Sequence, residues 1–342
     1  MISLGLIGYG YWGPNLARCT SESEAGRLAA IHDRDPEALE RAVRRYPGTR
    51  AVSDVNDLIN DPEIDAVIIA TPVHTHHALG LAALRAGKHV LIEKPLAASA
   101  AEAASLVAEA ERAGRILMVD HTFVFTPAVR KIRELVEGGT IGAVHYYDSV
   151  RLNLGLFQSD VNVLWDLAVH DLAILGFIMD EQPDSVSAQA ARHVSGRPES
   201  MALVTLVYPS GAVAHINVNW LAPVKVRQTL IGGSRQMIIY NELEPSEKIK
   251  VYDRGVHMIA DREQSTELRV GYRTGDMWSP QLPSTEALRL LVDHFIECIE
   301  TGERPVTDGQ VGHDIVELLE LATHSIKQGG RPISVSPQRL AS

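Results

Sequence analysis

Apolar and polar positions follow two alternating patterns in the first part of the chain. Short apolar runs, typical of strands buried on both faces, recur at residues 1–7, 28–32, 65–70, 88–92 and 116–119. Stretches with helical spacing of apolar residues lie between several of these runs, at residues 36–46, 76–86 and 99–113. Strands that alternate with helices in this way predict a doubly wound parallel sheet.

The remainder of the chain has a different order of elements. It begins with a predicted helix at 126–136, a strand at 143–152, a loop at 153–162 and a helix that ends near Met179. Strand-like stretches with short connections follow, at residues 185–194, 201–208, 212–220, 224–232 and 235–241. Consecutive strands of this kind predict a mostly antiparallel sheet. Two further helices are predicted at 285–300 and 312–327.

These patterns predict two domains. We expect an α/β domain with a doubly wound parallel sheet over residues 1–121. An α+β domain with a large, mostly antiparallel sheet is expected over residues 122–342. In doubly wound sheets ligands bind beyond the carboxyl ends of the strands, so side chains at those ends are the first candidates for function.

A glycine motif lies directly between the first strand and a helix. It has the G-x-G-x-x-G form and consists of Gly8, Tyr9, Gly10, Tyr11, Trp12 and Gly13. The first glycine allows a tight turn, the second lets a pyrophosphate approach the backbone, and the third lets helix and strand pack closely. The following helix offers free N–H groups to phosphates. Strand, turn and helix in this order indicate a Rossmann dinucleotide-binding domain.

Asp33 follows the second predicted strand, at the distance expected for the acidic partner of this motif. Its carboxylate can accept hydrogen bonds from the ribose hydroxyls of NAD and would repel the 2′-phosphate of NADP. Arg34 leaves an alternative, because a guanidinium can hold that phosphate or stack on adenine. A cap for the next helix is the structural alternative for these acids, and Asp35 fits it better because Pro36 suits the first helical position. The sequence favours NAD over NADP.

Composition and charge exclude several classes of protein. The chain has 342 residues and a formal charge of −11, from 32 basic and 43 acidic residues, which argues against non-specific nucleic-acid binding. Two cysteines, Cys19 and Cys298, imply no disulfide framework. No signal peptide and no apolar run of about 18 residues is visible, so we expect a cytoplasmic protein without a membrane span.

Polar side chains follow two of the predicted buried strands. Thr71, Pro72, His74 and His76 come after the run at 65–70, and Glu93, Lys94 and Pro95 come after the run at 88–92. A partly desolvated lysine at a strand end can stabilise an alkoxide that forms as hydride leaves, and Glu93 can orient it. The alternative is a surface lysine in a loop. His74, His76 and His77 also allow a metal site, although helix capping and cofactor contacts suit their spacing better.

Asp166 and His170 lie four residues apart on a predicted helix and would share one face. A neutral histidine can take the proton of a hydroxyl during alcohol oxidation, and the carboxylate can orient the substrate or the imidazole. A surface Asp–His pair is the structural alternative. A zinc site would need a third ligand that the spacing does not supply. We predict no metal.

These motifs together resemble the glucose–fructose oxidoreductase and inositol dehydrogenase family, the Gfo/Idh/MocA group. The resemblance is carried by the glycine motif, by Ala70-Thr71-Pro72 with His74 and His76, by Gly87 to Leu96 with its Glu93-Lys94-Pro95, and by Asp166-x-x-x-His170. It implies a nicotinamide-dependent oxidoreductase that acts on a sugar or cyclitol carbon, with His170 as the acid–base and Lys94 assisting. It also implies a cofactor contact near His74 and His76, a homo-oligomer (a dimer or a tetramer), and terminal helices that return to the first domain.

Residues 145–171 look most similar to the nucleotide-sugar 3-dehydrogenases of that group. The resemblance therefore implies oxidation at C3 of a nucleotide-linked hexose. Arg151, Asn153 and Asn162 are candidates for contacts with such a substrate, with ordinary strand-edge roles as the alternative. Two other functions stay open: an inositol or free-sugar dehydrogenase or ketoreductase, and a non-catalytic NAD-binding regulator. Intact Lys94, Asp166 and His170 argue against the regulator.

Overall fold

A computed structural model describes residues 1–155, 161–259 and 269–335. The chain forms two compact units. The first consists of Met1–Thr126 and Thr285–Glu320, and the second of Pro127–Ser284 and Leu321–Ser342. The predicted division at residue 121 stays a prediction, and residues 156–160 of the predicted loop lie outside the described residues.

The first unit contains a six-stranded parallel sheet. Its strands are β1 (Ile2–Ile7), β2 (Gly26–His32), β3 (Arg50–Val52), β4 (Ala66–Ile69), β5 (His89–Glu93) and β6 (Leu117–Asp120). They lie in the order β3-β2-β1-β4-β5-β6, and each neighbouring pair is parallel. The apolar residues of β4 are fully buried, as their continuous run predicts. The predicted doubly wound parallel sheet is confirmed.

Helices connect these strands and cover the sheet. They are α1 (Gly13–Ser21), α2 (Pro36–Arg45), α3 (Val55–Ile59), α4 (His76–Arg85) and α5 (Ala100–Ala113). α8 (Ala287–Thr301) packs on α1, where Arg18 forms an ion pair of 2.6 Å with Glu286. The segment that leads into α9 (Gly309–Lys327) borders β6, because the Val119 N–H donates to the Thr307 carbonyl at 2.8 Å.

The second unit is organised around a nine-stranded sheet that is antiparallel except for one pair. It contains α6 (Pro127–Glu137), β7 (Val144–Leu154), α7 (Val169–Ile178), β8 (Ser185–Ala191), β9 (Met201–Val207), β10 (Val213–Asn219), β11 (Leu221–Gly233), β12 (Met237–Asn241), β13 (Ile249–Tyr252), β14 (Gly255–Ile259), β15 (Arg269–Arg273), β16 (Met277–Trp278) and β17 (Ile333–Ser334). The order in the large sheet is β16-β13-β12-β11-β7-β10-β9-β8-β17, with β10 and β7 parallel. β14 and β15 form a separate hairpin. The predicted α+β arrangement is confirmed.

A buried cluster of charges ties α7 to this sheet. Arg151 of β7 and Asp171 of α7 are 4% and 1% exposed, and the Arg151 Nε donates to Asp171 Oδ2 at 2.9 Å. The Ser149 hydroxyl donates to the same carboxylate at 2.6 Å. Arg151 also reaches Glu242, which accepts a second bond of 2.6 Å from Arg227. The helix is therefore held against β7 by charge-assisted hydrogen bonds.

Asp171→Ala should lower the free energy of unfolding by about 3–5 kcal/mol, because it leaves the Arg151 guanidinium buried without its main counter-charge. Urea unfolding followed by circular dichroism measures the change. Glu134→Ala, which removes an exposed ion pair with Lys131, is the matched control and should leave the urea midpoint nearly unchanged. Equal midpoints for the two variants would contradict this account of α7.

Candidate active site

The glycine turn of the first unit has the backbone that its three glycines predict. Gly8 has a φ of +99°, and a Cβ there would lie 2.5 Å from the Ala70 carbonyl oxygen. A Cβ on Gly13 would collide with the Gly8 carbonyl. Gly10, by contrast, is exposed and has no atom within 4 Å of an added Cβ. Two glycines are thus required by packing, while Gly10 leaves open space where a ligand can approach the main chain.

The N-terminus of α1 follows this turn directly. Trp12 is its N-cap residue and provides no side-chain hydrogen bond, and the first turn carries no acidic residue. No capping side chain therefore accepts a hydrogen bond from the first backbone N–H groups of the helix. No acidic side chain in the first turn offsets the positive end of the helix dipole. Tyr11 is 87% exposed beside the turn. An open glycine and an uncapped helix N-terminus fit the pyrophosphate of a dinucleotide.

Asp33 lies at the end of β2 and is fixed by two backbone donors. The Tyr9 N–H donates to one carboxylate oxygen, and the Asp35 N–H donates to the other at 2.8 Å. The carboxylate thus lies against the glycine turn. Asp35 caps α2 by accepting from the Glu37 N–H at 3.0 Å, as expected, and Arg34 is exposed. The geometry fits recognition of a ribose by Asp33.

Hydrogen bonds connect the ends of β4 and β5. The Thr71 and Thr75 hydroxyls lie 2.6 Å apart, and Thr75 donates to the Pro72 carbonyl at 2.7 Å, so Thr71 is the donor to Thr75. His76 is 1% exposed, with its Nδ1 2.9 Å from the Pro95 carbonyl and its Nε2 2.8 Å from the Thr71 carbonyl. The ring lies between the two strand ends and, when neutral, donates to one of these carbonyls, a structural role that the sequence did not predict.

His74 is exposed just before α4, whereas His76 is enclosed. Burial lowers the pKa of His76. The contact of either histidine with the cofactor stays a prediction.

Lys94 lies beyond the end of β5, in a group of buried polar side chains. Glu93 is paired in register with Asp120 at the end of β6, and Asp120 is 2% exposed. The Trp12 indole N–H donates to Asp120 at 2.9 Å, so the glycine turn and β6 are joined. His121 follows and is 1% exposed; burial and the charge of Lys94 lower its pKa to about 3. His121 is therefore neutral at ordinary pH.

Sequence reasoning missed Asp120 and His121. The signal that could have revealed them is their position, because they follow the apolar run at 116–119 as Glu93 and Lys94 follow the run at 88–92. Carboxyl ends of adjacent parallel strands lie at the same edge of a sheet.

In the second unit, Asp166 and His170 lie on consecutive helical segments of different type. Leu164–Ala168 is π-helical, and α7 begins at Val169. A π turn is wider than an α turn and closes by i→i+5 hydrogen bonds, so residues four apart still lie near one another around the helix, and the common face of the two side chains stays a prediction. Asp166 accepts from the Trp220 indole at 3.1 Å, and both Asp166 and His170 are half-buried. Such π segments occur frequently at functional sites.

The predicted substrate residues occupy different surroundings. Arg151 is buried with two carboxylates, as described above, which gives it a structural role in place of an open cationic site. Asn162 donates to Glu199 at 3.1 Å and accepts from the Trp165 N–H at 3.2 Å. Among the described residues, Asn153 has a buried Oδ1 with no hydrogen-bond partner. Substrate contacts of all three stay predictions.

Within the described part of the chain, one group of three side chains has the ligand types and spacing of a metal site. It comprises His313, Asp314 and Glu317 on α9, with ligand atoms within 4.8 Å of one another. Neither Asp166 with His170 nor the histidines around α4 belong to it. None of the described helices is both long enough and apolar enough to cross a membrane.

Comparison with known families gives two matches along the chain. Residues 2–121 match the Gfo/Idh/MocA oxidoreductase family, described as having an NAD-binding Rossmann fold. Residues 129–239 match the C-terminal domain of the same family.

Individual relatives point to the same family. The oxidoreductase YdgJ of Escherichia coli is 30% identical over 72% of this chain and 73% of its own length. Myo-inositol 2-dehydrogenase of Thermotoga maritima is 26% identical over 95% of this chain and 96% of its own. Among solved structures, UDP-N-acetylglucosamine 3-dehydrogenase of Acidithiobacillus ferrooxidans has a TM-score of 0.82 at 24% identity, covering 96% of this chain and 98% of that one. That last likeness concerns the fold.

NADH should bind more tightly than NADPH, because the Asp33 carboxylate is held where it would repel a 2′-phosphate. Asp33→Ser should narrow the ratio of the two dissociation constants by about tenfold, and fluorescence titration measures it. Asp35→Ser is the control: it removes a nearby charge, keeps a capping hydroxyl and should leave the ratio unchanged. Tighter binding of NADPH than of NADH by the unmodified protein would contradict this prediction and would show that Arg34 determines the cofactor preference.

Proposed function

This chain belongs to the Gfo/Idh/MocA family of NAD-binding oxidoreductases, and on that basis we propose that it oxidises or reduces a secondary alcohol of a sugar or cyclitol. The observation that carries the proposal is the set of polar groups at the ends of β5 and β6: half-buried Lys94 follows Glu93, which pairs in register with Asp120, and Asp120 is bound by Trp12 of the glycine turn. Lysine in such surroundings can act on a substrate oxygen.

Each predicted catalytic residue has a separate role in this proposal. The bound nicotinamide supplies the acceptor or donor of hydride. His170, in the first turn of α7, takes the hydroxyl proton in oxidation and returns it in reduction. Lys94 stabilises the negative charge that develops on the substrate oxygen. Asp166, held by the Trp220 indole, orients the substrate or the imidazole.

The proposed acid–base has a rigid support. Asp171 follows His170 directly and is fixed by Arg151 and Ser149, so the first turn of α7 has little freedom to rotate. A catalytic group must be held within a fraction of an ångström of its reacting geometry, and this anchoring serves that requirement. The non-catalytic regulator is less well supported, because a regulator would not need such a support for His170.

For the substrate we propose a nucleotide-linked hexose that reacts at C3, as the resemblance of residues 145–171 implies. A nucleotide would supply remote binding energy that fixes which carbon reacts. A contact of Arg151 with its phosphates stays a prediction, and such a contact would have to compete with the two carboxylates that pair with Arg151. Free inositol or a free sugar is the second candidate, and it is favoured by the inositol dehydrogenases among the relatives.

Lys94→Ala and His170→Ala should each lower kcat by about a hundredfold or more, the scale for loss of a positioned acid–base group. The thermal midpoint and the dissociation constant of NADH should change little, because neither substitution removes a core contact. His145→Ala and Lys327→Ala replace exposed residues of the same types and should retain full turnover. Normal turnover by both active-site variants would overturn the assigned roles.

Nucleotide sugars should be oxidised faster than free hexoses or myo-inositol when each is incubated with enzyme and NAD. Single-turnover conditions are used so that slow product release does not hide the reaction. NADH absorbance and product mass are measured, and the mass with isotope-labelled sugars locates the oxidised carbon. Rapid oxidation of myo-inositol with no reaction of any nucleotide sugar would establish the second candidate and reject the first.

A further inference from the structure

Two acidic side chains lie next to each other at the end of the parallel sheet. Glu93 is the last residue of β5 and Asp120 the last of β6, and the two are directly paired in the parallel register. Asp120 is 2% exposed. Residues paired in register on neighbouring parallel strands carry their side chains on the same face of the sheet, so the two carboxyl groups are neighbours there. Two carboxyl groups this close in a largely buried place repel each other when both are ionised, which favours a state in which one of them keeps a proton.

The partners of Asp120 indicate which group holds the proton. Its Oδ2 accepts from the Trp12 indole N–H at 2.9 Å, and its Oδ1 accepts from the Thr122 hydroxyl. Both oxygens of Asp120 thus already act as acceptors for neutral donors, which favours the ionised form of this residue. The proton that the pair keeps therefore belongs to Glu93.

The electrostatic surroundings agree with this assignment. Burial, followed by the negative charge of Asp120, raises the pKa of Glu93 well above its usual range, although the charge of Lys94 opposes the shift. Burial also raises the pKa of Asp120, but the hydrogen bonds from Thr122, Trp12 and Glu93 oppose that shift. His121 is neutral and adds no charge.

We propose that Asp120 is a positioning residue that acts through Glu93: the two carboxyl groups share one proton, so that Glu93 stays neutral beside Lys94 while Asp120 carries the single negative charge of the pair. The role of Lys94 in this statement rests on the proposed function; the shared proton does not.

The shared proton sets the charge around Lys94. If both carboxyl groups were ionised, two negative charges would compete with a substrate oxygen for the ammonium group. With one proton retained, the remaining charge lies on Asp120, where Trp12 and Thr122 already bind it. The Glu93–Asp120 pair thereby leaves Lys94 able to stabilise charge on a substrate.

Infrared difference spectroscopy of the purified protein at neutral pH tests the shared proton directly. The spectrum of the unmodified protein minus that of Glu93→Gln should contain the C=O stretching band of a protonated carboxylic acid. Glutamine keeps a neutral hydrogen-bond donor towards Asp120, so the variant should fold. Glu102→Gln, at a side chain that accepts from the Ala98 N–H on the surface, is the matched control and should give no such band. Absence of the band in the Glu93 difference spectrum would overturn the proposal.

The pH dependence of the band tests the contribution of Asp120. The band should disappear as pH rises through the raised pKa of Glu93. Asp120→Asn removes the neighbouring negative charge and should move the midpoint of this loss to lower pH. An unchanged midpoint in a folded Asp120→Asn protein would show that burial alone retains the proton and would reject the role of Asp120.

Thermal unfolding gives an independent measurement. The folded protein binds the Glu93 proton more tightly than the unfolded chain does, so this proton stabilises the fold at low pH. That stabilisation should be lost as pH rises from about 4.3, the ordinary value for glutamate, through the raised pKa. The thermal midpoint of the unmodified protein should therefore fall relative to that of Glu93→Gln over this range. A difference between the two thermal midpoints that stays constant over this pH range would contradict the proposal.

The effect of the Glu93–Asp120 pair on catalysis is tested by a separate measurement. The profile of kcat against pH should show an ionisation at the same midpoint as the infrared band, and Asp120→Asn should move both. The infrared band is recorded without substrate, so failure of the proposed dehydrogenase activity leaves that result intact. If the enzyme is active but its kcat does not change as Glu93 ionises, the positioning role of Asp120 is rejected. The shared proton would not be affected by that result.

Discussion

The carboxyl ends of β4, β5 and β6 lie side by side at one edge of a parallel sheet, and the polar groups there are largely shielded from water. A buried polar group costs free energy unless it has a hydrogen-bond partner, and several of these groups bind one another. His121 is the exception among the described residues at these strand ends, because neither of its ring nitrogens has a hydrogen-bond partner. The His76 ring spans two carbonyl groups, and Asp120 accepts from two donors. One of those donors is Trp12 of the glycine turn. The turn that fits the cofactor and the strand ends that carry Lys94 are therefore parts of one hydrogen-bonded structure.

The sequence predicted those elements whose burial is uniform or strictly periodic. The ends of β4 and β5 differ from the apolar runs by a residue at most, because strands covered on both faces leave an unbroken apolar signal. The short edge strands were not predicted. Two of the three residues in β3 are exposed, and β16 and β17 have two residues each, which is too few for any periodicity to appear. These strands form because a neighbouring strand offers unpaired backbone groups. The local sequence pattern contains no information about that neighbour.

In the candidate site, too, features set by residues close in sequence were predictable, whereas features set by residues far apart in sequence were not. The glycine turn follows from three glycines with separate requirements, and the cap at Asp35 follows from Pro36, so both were predictable. The pairing of Glu93 with Asp120 depends on the register of two strands separated by a helix. Likewise, the spacing of Asp166 and His170 suggested an α-helical face, whereas the chain forms a π segment between Leu164 and Ala168. Within that segment Asp166 accepts from Trp220, a residue far away in the sequence.

Arg151 illustrates why charge in a sequence does not by itself identify a binding site. The cluster around it contains two guanidinium groups, Arg151 and Arg227, and two carboxylates, Asp171 and Glu242, so the charges cancel. Such a cluster exerts little attraction on an anionic ligand, and freeing Arg151 for a phosphate would leave Asp171 buried without its counter-charge. The cost of that exchange favours the closed cluster, which keeps α7, the helix that carries His170, in place. A basic residue near a proposed site argues for an anionic substrate only after its counter-charges have been located.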